Sequence, residues 1–108
     1  MTPKREALDS NHFLKTLNST YEVELGGQEP LTIELFRIDE RHDSPRVDQF
    51  SLLFRGPMSP WLPQATYRLR NGQIGEIALF LVPVGPEEGR MIYQAAFNRL
   101  REPAAKKT

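Results

Sequence analysis

The chain contains no cysteine and only two histidines in 108 residues. The first absence removes disulfides, thiolate nucleophiles and thiolate metal sites together. His12 and His42 lack the paired spacing of a zinc site, so neither a metal nor another cofactor is expected. Long apolar runs are missing too. The longest, Ile77–Val84, is far below the roughly 20 residues of a membrane-spanning helix, and the polar N-terminus has no signal-peptide core. The expectation is a protein without a membrane partner, placed in the cytoplasm or in a particle assembled there. Formal net charge is zero, which argues against nucleic acid as a partner, because proteins held by phosphate contacts carry a basic excess.

What is present is a block of hydrophobic segments cut to strand length by glycine and proline. Phe50–Phe54, Ala65–Leu69, Ile77–Val82 and Met91–Phe97 are rich in β-branched and aromatic residues and bounded by turn formers. They predict a continuous antiparallel meander from Phe50 to Phe97, with Phe54, Tyr67, Leu79 and Phe97 in its core. Upstream, Asp9 or Ser10 can cap a short helix over about residues 9–18, with Phe13, Leu14 and Leu17 on one face. Thr20–Leu25 alternates, placing Tyr21, Val23 and Leu25 inward and Glu22 and Glu24 outward. Gly26-Gly27-Gln28 turns the chain into a strand from Leu31 to about Glu40. Its buried face switches at Leu35-Phe36, which predicts a β-bulge or a barrel corner buried on both faces.

Arg41–Gln49 has the composition of an exposed loop. Asn71-Gly72 signals a hairpin, Gly85–Gly89 the next reversal, and Pro83 an edge or a bend. The fold class is therefore all-β: a small antiparallel barrel or two-layer sandwich of about six strands, with the helix across one opening. One domain, residues 1–101, accounts for the chain, with strands from about 20 to 99. Residues 102–108 are expected to be a flexible basic tail.

The series Phe50–Pro57, Leu62–Leu69, Leu79–Gly85 and Tyr93–Arg99 resembles a family of small uncharacterised bacterial proteins, often encoded beside proteins that look like phage tail-collar or tail-fibre components. The resemblance covers about half the chain, the N-terminal third only loosely. It implies a setting, a tail-like particle or its accessory proteins. No catalytic or ligand residue is established for that family, so none is carried over.

Two clusters invite a functional reading. The connector from Gly56 to Gln64 is stiffened by Pro57, Pro60 and Pro63 and carries Met58, Trp61 and Leu62 between Arg55 and Gln64. Arg55, Met58, Trp61, Leu62 and Gln64 form a candidate interface, since a restrained loop loses little entropy on binding and tryptophan is enriched at hot spots. Trp61 as a lid on the core is the competing reading. Arg55, Arg68 and Arg70 form a candidate anion site if their strands pair; otherwise each covers the sheet and pairs with a glutamate across the strand.

Catalytic chemistry is not signalled. Ser51 lacks the glycine-flanked elbow of a hydrolase, and Glu87 and Glu88 read as a solvated hairpin tip. Charge is segregated, with acids crowding residues 22–40 and Arg99, Arg101, Lys106 and Lys107 near the C-terminus. Such polarity suits head-to-tail contact between copies or a charged partner. The expectation is a non-enzymatic structural or adaptor module that binds other protein chains or itself, possibly in a phage-tail-like assembly. The rival is a barrel that takes an anionic ligand or single-stranded nucleic acid on its arginine face.

Overall fold

The computed structural model describes residues 10–44 and 47–100, and the side chains of residues 10–40 and 49–97. A five-residue helix, α1 (Ser10–Leu14), precedes β1 (Thr20–Val23), β2 (Leu31–Ser44), β3 (Val47–Gly56), β4 (Ala65–Asn71), β5 (Gly75–Glu87) and β6 (Arg90–Leu100). All pairings are antiparallel, and the strands close into a barrel in the order β1-β2-β3-β6-β5-β4, with β4 returning to β1. Closure covers the edges only around the ring itself: β2 from Arg37 to Ser44 and β6 from Ala95 to Leu100 pair with β3 alone and extend past the ring.

The expected meander is corrected here. Besides β2, β3 pairs not with β4 but with β6, from Val47↔Leu100 to Gly56↔Met91. The chain must therefore cross one end of the barrel to start β4, and the proline-rich connector makes that crossing. The antiparallel ring then sorts every turn. The β1–β2 and β5–β6 turns lie at the connector end. The helix, the β2–β3 and β4–β5 turns and the finish of β6 lie at the other, the helix end.

Alternation builds the core. Tyr21, Val23, Ile33, Leu35, Phe50, Leu52, Phe54, Leu69, Leu79, Leu81, Tyr93 and Ala95 are buried and pack as one cluster with Phe13, Leu62 and Met91. Tyr67 and Phe97, expected in the core, are only partly buried against it. The bulge predicted at Leu35-Phe36 is present: Leu35 pairs with Phe54 and Arg37 with Leu53, so Phe36 is the extra residue. It rotates the inward face from Leu35 to Ile38. A second irregularity between Pro83 and Gly85 sets Val84 aside, which lets a proline without an N–H sit in a closed sheet.

Three other expectations shift. Residues 41–44 and 47–49 are paired strand rather than loop, since Arg41 pairs with Gln49 and Ser44 with Val47; backbone pairing overrode a polar composition. Strand β5 runs through to Glu87, opposite Arg90, and the reversal is the two-residue turn Glu88-Gly89, with φ of 51° and 78°. The helix stops at Leu14, and Leu14 is exposed, while Phe13 is buried and Leu17 packs partly on the core. A helix this short buries one residue rather than a stripe. Asp9 and the tail 102–108 lie outside the described residues.

Gly56 ends β3 for a steric reason. A Cβ there would stand 2.8 Å from Cγ2 of Ile33, so the connector leaves the barrel at a point where its backbone lies against the core.

Candidate interaction surface at the connector end

Two bonds tie the connector down. The Leu62 N–H donates to Tyr93 Oη at 2.8 Å, and Tyr67 Oη donates to the Pro63 carbonyl at 2.6 Å. Leu62 is thereby driven inward and buried, which corrects its place among the interface candidates: it closes the barrel and presents nothing outward. Burial raises the Tyr93 phenol pKa above its ordinary value, partly offset by the bond from the Leu62 N–H, and raises Tyr67 as well. Both hydroxyls are thus held protonated, Tyr67 as a donor and Tyr93 as an acceptor.

Between these anchors the connector turns its remaining apolar side chains out. Met58 is 41% and Trp61 51% exposed. Trp61 is not a core lid. Gln64 is exposed at the start of β4. Phe80 and Val84, each 51% exposed, add apolar surface on β5. Phe80 faces Thr66, the second residue of β4, and Val84 lies in the bulge beyond it, so both belong to the connector half of the barrel. Among the described residues five large hydrophobics are exposed. Four of them sit at this end, and Leu14 alone sits at the other.

The arginines do not converge. Arg55 is on β3 and Arg68 and Arg70 on β4, strands that are not neighbours in the ring. Arg55 Nε donates to Glu34 Oε1 at 2.9 Å and its guanidinium lies 5.0 Å from the Phe36 ring centre. Arg90 reaches the same carboxylate at 3.8 Å. Arg68 lies 3.7 Å from Glu24 and 3.5 Å from Glu76, and Arg70 3.4 Å from Glu22. Each guanidinium is taken up by a glutamate: Arg55 by Glu34 of β2, Arg70 by Glu22 of β1, and Arg68 by Glu24 just past β1 and by Glu76 of β5. A groove of about 300 Å³ lined by Phe36, Arg55, Glu87, Glu88, Arg90 and Ile92 runs beside the Arg55–Glu34 pair.

Elsewhere the polar groups serve the fold. Ser51 accepts a bond from Gln94 Nε2 at 3.1 Å. The His12 ring meets Phe13 edge-on with centres 5.2 Å apart. The His42 side chain lies outside the described ones. Among the described residues no three His, Asp or Glu side chains gather as metal ligands, and no helix is long and apolar enough to cross a membrane.

Sequence reasoning singled out Met58 and Trp61 and passed over Phe80 and Val84, which are exposed as well. The signal was there for Phe80: it falls between Leu79 and Leu81, both of which must face inward, and so occupies the outward phase of its strand. Val84 needed knowledge of the bulge.

These features define a small antiparallel barrel filled by its own side chains, with most of its exposed large hydrophobics among the described residues in the connector half. Residues 8–97 match the family described as Domain of unknown function (DUF6916), and the chain belongs to that family. No curated protein matches it, and no solved structure does.

Proposed function

We propose that the protein is a non-enzymatic module that docks onto another protein chain through the connector end. The observation that carries this reading is that Met58, Trp61, Phe80 and Val84, four of the five exposed large hydrophobics among the described residues, all lie in the connector half of the barrel. Covering such side chains releases water from apolar surface, and a loop already fixed by three prolines and two hydrogen bonds has little freedom left to lose. Tryptophan and methionine flanked by polar groups such as Gln64 and Thr66 have the make-up of an interface centre with its rim. The interior offers a ligand little: a six-stranded barrel is narrower than the eight-stranded ones that just hold a small molecule, and here it is packed with Tyr, Phe and Leu side chains. The setting proposed is a phage-tail-like assembly, on the strength of the family resemblance of the strand series.

The test is site-specific photo-cross-linking in cells that make the protein naturally. A photoreactive residue at position 58 or 80 should give covalent adducts with a protein chain, whereas one at position 70, on the ion-paired β1–β4 face, should give none. Equal labelling at all three positions, or none at 58 and 80, would remove the reading.

A further inference from the structure

We propose that two copies of this chain pair edge to edge along β6, from Ala96 to Leu100, as a two-fold dimer. The contact lies away from the connector end, so the proposal goes beyond the docking reading above and does not depend on it.

Strands β2, β3 and β6 run on past the ring as a ribbon with β3 in the middle. Among the described residues, β2 from Arg37 to Ser44 and β6 from Ala95 to Leu100 have no strand on their outer side. Unpaired N–H and C=O groups along such an edge are a template for another strand. Pro83 fixes which groups these are. It pairs with Tyr93 but has no N–H to exchange with it, so that pair is of the non-hydrogen-bonded kind and the Tyr93 N–H and C=O turn to β3. The β3–β6 register is unbroken from Met91 to Leu100, and the alternation carries along it. Ala95, Phe97 and Arg99 therefore bond β3, while Ala96, Asn98 and Leu100 turn their N–H and C=O to the open side.

The two edges are not equally open. Between Arg37 and Ser44 the β2 edge has Arg37, Asp39, Glu40, Arg41 and Asp43, the charged make-up that keeps other strands away. Residues 95–100 of β6 include a single charge, Arg99, which Asp48 of β3 already faces in register. With Asn98 on the two-fold axis, Ala96 stands opposite Leu100 of the other copy and Phe97 opposite Arg99. Every outward N–H and C=O of Ala96, Asn98 and Leu100 then finds a partner, and no charge meets its like. A second copy suits this edge better than a loose peptide, because its strand is already held by β3 and has little freedom left to lose. In the joined sheet the charged β2 edges lie outermost and end it, so association closes at a dimer. Antiparallel pairing at the helix end also points the two connector ends away from each other. If those ends dock as proposed above, the dimer is bivalent and gains by effective concentration.

Because the chain has no cysteine, single cysteines report the contact. In a hydrogen-bonded antiparallel pair the Cα atoms stand about 5.5 Å apart, within the roughly 4.4–6.8 Å that a disulfide spans. Asn98→Cys should therefore oxidise to a covalent dimer, at least about tenfold faster than Asp39→Cys on the β2 edge. Sedimentation of the wild-type chain should show monomer passing to dimer, and nothing larger, as concentration rises. Asn98→Pro deletes the outward N–H on the axis without touching the ladder to β3, and should weaken the dimer at least about tenfold. Trp61→Ala should leave the dimer unchanged. A wild-type chain that stays monomeric, species beyond a dimer, a dimer lost with Trp61→Ala, or equal oxidation at positions 98 and 39 would each overturn the proposal. If circular dichroism shows that Asn98→Pro does not fold, the two cysteine variants decide alone. Photo-cross-linking at position 58 decides the docking reading separately, since the connector end takes no part in this pairing.

Discussion

Both ends of the barrel are closed by an inserted side chain, yet the closures are built differently. At the helix end Phe13 is fully buried, its ring 5.5 Å from that of Phe97 and 6.2 Å from that of Phe50, while those two stack at 4.6 Å. Beneath it Thr16 Oγ1 donates to the Phe13 carbonyl at 2.8 Å and lies 2.7 Å from Tyr21 Oη, so Tyr21 donates to Thr16. Aromatic residues and hydroxyls there are consumed by the seal. At the connector end a leucine suffices, and the tryptophan, the larger aromatic, is left outside. The difference lies in which aromatic is inserted: the helix end buries Phe13 against Phe50 and Phe97, whereas the connector seats Leu62 on the buried Tyr93 and leaves Trp61 half exposed.

The largest expected effect lies at the aromatic seal. Phe13→Ala should lower unfolding free energy by about 3–5 kcal/mol, the range for deleting a fully buried phenylalanine, whereas its neighbour Leu14→Ala should stay within about 0.5 kcal/mol. Urea denaturation of the two variants measures both. Equal effects at positions 13 and 14 would mean that the helix does not plug the barrel.

A smaller effect is expected at the leucine closure. Tyr93→Phe keeps the ring but leaves the buried Leu62 N–H without its acceptor, at a cost of about 1–3 kcal/mol. Burial holds Tyr93 and Tyr21 above the ordinary phenol pKa of 10.0. The folded state keeps protons that the unfolded chain gives up near that value, so this stability is complete below pH 10 and lost as pH rises through the raised values. Thermal midpoints should therefore fall through the alkaline range, and Tyr93→Phe should flatten the fall. An identical alkaline limb in the variant would show that Tyr93 does not titrate with unfolding.

Much of this architecture was legible in the residues. Strict alternation in Thr20–Leu25 fixed which side chains face inward, and the change of phase at Leu35-Phe36 located the bulge, because a two-residue period broken inside a hydrophobic strand has few other causes. The pairing of β3 with β6 was not legible. Strand partners far apart in sequence are chosen by the whole set of buried faces, and Gly56–Gln64 reads the same whether it joins neighbours or crosses the barrel end. The same limit misled the reading of the arginines: Arg55, Arg68 and Arg70 are close in sequence, but their glutamate partners come from β1, β2 and β5. For the connector, composition showed that Met58, Trp61 and Leu62 are too apolar for an idle loop. It could not show that Leu62 alone turns inward, since that depends on the Tyr93 hydroxyl more than thirty residues away.

The smallest expected effect on stability is the most informative about the connector end. Trp61 is half exposed and belongs to a loop that adds no rung to the strand ladder. The bonds from Leu62 to Tyr93 and from Tyr67 to Pro63 both remain when the indole is removed. Trp61→Ala should therefore shift unfolding free energy by no more than about 0.5 kcal/mol, while weakening docking by at least about 2 kcal/mol, the scale of a hot-spot residue. Calorimetry reads the first quantity and a binding titration the second. In the isolated protein, acrylamide should quench the single tryptophan readily, as it does an indole open to water. A variant that melts much earlier, or an indole shielded from quencher, would make the two ends alike, each sealed by its aromatic, and would move the search for a partner surface to Phe80 and Val84 on β5.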